Sequence, residues 1–97
     1  EIDWNMSTGP VHNDKAITEN FKNTAVLNGL EVEEIEQILT SEDFGWYLTK
    51  TKGMLFRFGT RNEALGCTSL IHCNDFKLDE SGMKTAIKAF VDYVLNF

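Results

Sequence analysis

Positive charge is what this sequence has least of: nine Lys and Arg stand against fifteen Asp and Glu in 97 residues, a formal net charge of -6. That balance argues against a protein that tracks nucleic-acid phosphates, because such affinity comes from clustered cations releasing counterions. Anionic membrane surfaces are disfavoured for the same reason. Long apolar runs are missing too, since every run meets a charge well before the ~20 residues needed to span a bilayer. No basic-then-apolar leader opens the chain. These absences lead us to expect no nucleic-acid partner, no membrane partner and a cytoplasmic location. Cysteine is limited to Cys67 and Cys73. They enclose only a very short loop, and a chain with a reasonable core needs no disulfide staple, so free thiols are expected. Internal repeats and low-complexity segments are absent.

What is present is ordinary globular composition, 42% hydrophobic and 25% charged. Length and composition permit one domain at most and select no function. Function must therefore come from pattern. Residues 1–6 alternate, with Ile2, Trp4 and Met6 on one face, and predict a strand that Ser7-Thr8-Gly9-Pro10 breaks. A start in mid-strand leads us to expect further residues upstream. Asn13 can cap a helix in which Ile17, Phe21 and Ala25 recur at four-residue spacing until Asn28-Gly29. Leu30 to Ile35 reads as a short edge strand, with a helix as the close alternative. Thr40 or Ser41 can cap a second helix with Glu42 and Asp43 in its first turn and Gly53 as its stop.

Met54 to Phe58 is the most apolar stretch and predicts a buried or half-buried strand. Residues 60–78 hold no sustained period. They form a long loop with Gly66, both cysteines and His72, with room for a short strand at Ser69 to His72, and loops of that length are usually functional or disordered. Asp79 can cap a final helix, on which Met83, Ile87, Phe90, Val91, Val94 and Leu95 make a continuous apolar stripe. The order strand, helix, strand, helix, strand, loop, helix is an α/β arrangement.

Several short words then occur in a telling order: Thr40-Ser41-Glu42-Asp43-Phe44-Gly45-Trp46-Tyr47-Leu48, Gly53, Phe56-Arg57-Phe58-Gly59-Thr60-Arg61-Asn62, Leu70-Ile71-His72 and Phe76-Lys77-Leu78-Asp79-Glu80. Together they resemble the closing segment of the aminoacylase-like, metal-dependent amidohydrolases, a family that includes hippurate hydrolases and N-acetyl-diaminopimelate deacetylases. The resemblance covers about residues 10–97. It implies the C-terminal part of a three-layer α/β/α catalytic domain with a mixed sheet, residues 9–97, preceded by the last strand of a lid domain, residues 1–8.

The resemblance also implies a chemistry. Two divalent ions, of Zn, Mn, Co or Ni, activate a bridging water that cleaves an N-acyl amino acid or related small amide, while a carboxylate moves the proton. Nearly all of the family's ligands lie upstream of its lid. The residue that matches here is His72, as one imidazole ligand, with Phe76 four residues on. No catalytic acid or base falls in this segment, so the segment alone is expected to be inactive. Its implied partners are the small substrate, the missing N-terminal part of the same enzyme and a second copy in a homo-oligomer. Ser41, Glu42, Gly59, Thr60 and Arg61 are implied to line the substrate side of the cleft.

Each of these residues also has a plainer reading. His72 alone would be an ordinary partly buried histidine, and Glu42 an ordinary first-turn acid. Arg61 can pair with a substrate carboxylate through its planar fork or remain solvated. Ser41 has no base patterned around it and is no nucleophile. His12, beside Pro10, reads as a turn residue. Cys67, His72 and Cys73 lack the fourth ligand and the paired spacing of a structural zinc site. Gly59 to Asn62 lacks the glycine spacing and the Lys-Ser/Thr ending of a phosphate loop. The alternative to an enzyme is a non-catalytic, self-associating α/β module in which the acidic surface and the Met54 to Phe58 strand serve assembly.

Overall fold

A segment in which apolar residues recur every three to four positions can fold locally, because each turn supplies its own backbone partners. Two such segments dominate the computed structural model, which describes residues 8–97. The strand expected at residues 1–6 lies outside the described residues. Helix α1 spans Lys15–Leu27, α2 spans Phe44–Leu48 and α3 spans Gly82–Leu95.

Helix α1 starts one residue later than its sequence suggests. Asp14, not Asn13, is the cap, its carboxylate accepting from the Ile17 N–H at 3.1 Å. Asn13 is occupied elsewhere: its amide donates to the Leu55 carbonyl at 2.8 Å and accepts from the Leu55 N–H at 2.8 Å. One side chain thus does for Leu55 what a neighbouring strand's peptide would do. Asp14 N–H adds a third link by donating to Gly53 O at 2.9 Å. At the other end Gly29 takes φ 77°. The Gly29 N–H donates to Val26 O and the Leu30 N–H to Ala25 O, a Schellman closure that needs a residue free to adopt positive φ.

Helix α2 is one turn long, shorter than the reading from Thr40 to Gly53. Neither Thr40 nor Ser41 caps it. Asp43 stands at its N-cap without a side-chain bond, while the Glu42 carboxylate accepts from Phe44 N–H at 3.1 Å. Gly45 has no room for a side chain, since a Cβ there would lie 2.5 Å from the Gly9 carbonyl oxygen.

Helix α3 forms where expected but begins at Gly82, with Ser81 rather than Asp79 at its cap position. It meets α1 through small residues: Ala89 is 1% exposed and Ala25 3%. Around that crossing Phe21 sits 4.5 Å from Phe56 and 5.3 Å from Tyr93, centroid to centroid. The predicted stripe of α3 is not on this side. Met83, Ile87, Phe90, Val91, Val94 and Leu95 are all exposed, and α3 packs instead through Gly82, Ala86, Ala89 and Tyr93. Helix α3 therefore has two apolar faces, one covered by α1 and one left uncovered among the described residues.

The strands expected at Leu30 to Ile35 and Met54 to Phe58 form no ladder among the described residues, where the one β-bridge joins Asn62 and Cys67. A strand is stabilised by partners across it, and among the described residues Met54 to Phe58 has the Asn13 side chain and the adjoining Gly53 to Asp14 link in their place. The accessible surface is 8525 Å², against about 5,600 Å² for a closed protein of this mass. The radius of gyration is 16.0 Å, against about 12.5 Å for a self-contained domain of this length. Among the described residues the buried apolar side chains are confined to the α1–α3 crossing and Cys67.

Candidate functional site

The loop between the apolar Met54 to Phe58 segment and α3 owes its shape to polar side chains, because it lacks the apolar periodicity that would make an element. Asn62 and Cys67 exchange both backbone hydrogen bonds, at 3.0 and 2.8 Å, closing a small turn through Gly66 at φ 69°. Further along, Cys73 N–H donates to Leu70 O at 3.2 Å and Phe76 N–H to Cys73 O at 3.1 Å, making two successive turns. The Ser69 hydroxyl reaches across them to Asp75 at 2.8 Å.

His72 occupies the second central position of the first of those turns, with φ 70°. It is the one non-glycine residue with positive φ among those described. Glycine or asparagine suits that position, and a larger side chain held there costs on the order of 1 kcal/mol or more. His72 is exposed. Among the described residues no group of three or more His, Cys, Asp or Glu converges on a point that would hold an ion. One imidazole fits the role of a ligand, but these residues do not by themselves make a metal site.

The other candidates divide into two places. Gly59, Thr60 and Arg61 lie at the base of the His72 loop. Thr60 O accepts from Asp79 N–H at 3.1 Å. The Arg61 guanidinium is engaged within the loop, donating through Nη1 to Thr68 O at 3.0 Å and pairing through Nη2 with Glu63 at 3.2 Å. Ser41 and Glu42 lie before α2, and no hydrogen bond joins them to the loop among the described residues. His12 is exposed beside the Lys50 to Gly53 turn. Cys67 is buried, Cys73 is exposed and both are free, so the two thiols lie in different environments.

Two residues at this site carry no signal in the sequence as functional groups, Asn62 and Asp79. The Asn62 amide donates to an Asp79 oxygen at 2.7 Å and ties the two ends of the loop together. That hydrogen bond, followed by those from Ser81, holds the Asp79 carboxyl below its ordinary value of 3.8. A shallow depression of about 470 Å³ lies beside this pair, between Cys67 and residues 77–81, and does not include His72.

Comparison with known proteins gives a consistent picture. The chain is 39% identical over 66 residues to thermostable carboxypeptidase 2 of Saccharolobus solfataricus, a match that takes in 68% of this chain and 17% of that protein. It is 33% identical over 84 residues to an N-acetyldiaminopimelate deacetylase of Bacillus pumilus, covering 86% of the chain and 21% of the relative. A deacetylase of the same name from Lactobacillus acidophilus is 29% identical, with 99% of the chain and 25% of the relative covered. The chain thus spans a quarter or less of the curated relatives it matches. No family model matches it, and no solved structure gives a significant match.

Proposed function

The chain belongs to the metallopeptidase and amidohydrolase family of these carboxypeptidases and deacetylases, and from that premise we propose that it is one segment of a larger hydrolase acting on an amide bond. The substrate we assign is a small N-acyl amino acid or a related amide. The cofactor is divalent metal, with His72 as one ligand and the remaining ligands supplied from outside this segment. Residues 9–97 belong on this reading to a three-layer α/β/α catalytic domain, in which strands from elsewhere in the polypeptide complete the sheet.

The observation that carries the assignment is the backbone of His72. Strained backbone away from glycine persists where the surroundings hold it, and it concentrates at functional sites. Here the strain falls on the one residue that the family resemblance singles out, and it lies on a loop pinned at its root. The turn presents the imidazole outward, where groups from other parts of the polypeptide can join it.

Gly59 and Thr60 line the approach to that loop, and Arg61 holds its walls while keeping donors free for a substrate carboxylate. Ser41 and Glu42 belong to the same cleft only once the rest of the domain brings α2 toward it. The uncovered face of α3 fits the same reading. In a protein several times longer than this chain, the partner for that face is the remainder of the same polypeptide. A homo-oligomer of the whole enzyme is compatible with it, and self-association of the isolated segment through the exposed stripe is the expected behaviour of an uncovered apolar face.

The test is made on the full-length protein. His72→Ala is expected to lose bound divalent metal and at least about a hundredfold in hydrolysis of N-acetyl amino acids, since removing one member of a cooperating site abolishes most of its activity. Unchanged metal content and turnover would refute the assignment. Upstream sequence without histidine, cysteine and paired-glutamate motifs would instead favour a non-catalytic module.

A further inference from the structure

The loop that carries His72 begins and ends on one side-chain pair, and every oxygen and nitrogen of that pair is used. Asn62 Nδ2 donates to Asp79 Oδ2 at 2.7 Å, and Asn62 Oδ1 accepts from Leu65 N–H at 3.3 Å. Asp79 Oδ1 accepts from Ser81 N–H at 2.9 Å, immediately before α3. The backbone reinforces the junction, with Asp79 N–H donating to Thr60 O at 3.1 Å. Two side chains thus connect the first turn of the loop, its last residue and the start of α3. Both are half-buried, so water competes with these bonds less than at the surface.

An unclamped loop of this length samples many conformations, and closing it removes that freedom at one place. The place matters because the other ties within the loop are local ones: the Asn62–Cys67 backbone pair and the Gly66 to Glu63 bond inside it, Arg61 to Thr68, Ser69 to Asp75 and the two turns around His72. We propose that Asn62 and Asp79 are positioning residues that hold the His72 turn in place, which rests on the reading of His72 as a metal ligand. They act through the loop and touch neither metal nor substrate.

The pair can be reversed without losing any of its hydrogen bonds, and this provides the test. In the double variant Asn62→Asp with Asp79→Asn, the carboxylate at 62 accepts from Leu65 N–H and from the new amide at 79, whose oxygen still accepts from Ser81 N–H. Either single change breaks the pattern: Asn62→Asp sets two carboxylates against each other, and Asp79→Asn removes the charge from the bond. In the full-length protein, zinc affinity of the metal-stripped form and amide exchange at Cys73 and Phe76 would be measured for wild type, both single variants and the double. Exchange at Phe21 and Ala25 in α1 reports whether each variant is folded.

We expect each single change to speed exchange at Cys73 and Phe76 and to weaken zinc binding about tenfold or more, the scale seen when groups supporting a ligand are lost. The double variant is expected to restore both. Single variants that bind zinc as wild type does, in a protein where His72→Ala weakens it, would overturn the proposal. So would a double variant no better than the singles. Were His72→Ala itself without effect on zinc, the ligand assignment would fall, and the exchange pattern of the four proteins would still decide whether the pair holds the turn.

Discussion

Phe90→Ala distinguishes a surface residue from one awaiting its partner. In this chain Phe90 is 51% exposed, on the apolar stripe of α3 beside the face that meets α1. A phenylalanine buries about 200 Å² when fully covered, so roughly 100 Å² remains to be covered by the rest of the protein. At about 25 cal/mol per Å² that area is worth about 2.5 kcal/mol, to which a residual cavity adds when the ring is removed. Phe90→Ala in the full-length protein should therefore lower the unfolding free energy by about 3 kcal/mol. Lys84→Ala, an exposed charged side chain of the same helix, should change it by less than about 0.5 kcal/mol. Urea unfolding followed by far-UV circular dichroism measures both, with the slope checked for constancy. A Phe90→Ala cost no larger than that of Lys84→Ala would refute the claim that this face is covered in the whole protein.

Two further substitutions follow from features of α1 and α3. The Tyr93 hydroxyl is buried without a hydrogen-bond partner among the described residues, so Tyr93→Phe should leave thermal stability unchanged or raise it by up to about 1 kcal/mol. A loss above that in the full-length protein would mean that another segment supplies the missing partner. Asp14 caps α1, and its carboxyl lies below the ordinary value of 3.8 because of the Ile17 N–H, with Lys52 adding to the effect. Its stabilisation is thus complete above the unfolded-state value and is lost as pH falls through the lower folded-state value. Asp14→Ala should reduce stability at pH 7 and flatten its dependence on pH below about 4. An acid-unfolding profile identical to wild type would count against the cap.

Local features were largely legible before any tertiary contact was known. The four-residue spacing of Ile17, Phe21 and Ala25 and the Asn28-Gly29 stop mark α1 because both depend only on backbone geometry within the segment. The loop with His72 was legible for the opposite reason, the absence of any period. Cap identity was not. Asn13 and Asp14 are both good caps, and the choice fell to Asp14 because Asn13 is drawn to Leu55, 42 residues away. The same limit applies to Asp79, which reads as a helix cap and instead bonds Asn62 across the loop while α3 starts three residues later.

The amino-acid sequence by itself determined helices α1 and α3, the acidic charge balance and the series of short words that includes His72, because each is a property of neighbours along the chain. Only tertiary structure decided that His72 sits in left-handed backbone, that Arg61 is committed to Thr68 and Glu63, and that Asn62 and Asp79 close the loop. It also decided which side of α3 meets α1. Both sides are apolar, and periodicity reports that a face is apolar without reporting what covers it. Small residues won the contact with α1 because Ala25 and Ala89 let the two backbones approach, leaving the larger side chains of Met83, Ile87, Phe90 and Val94 turned outward.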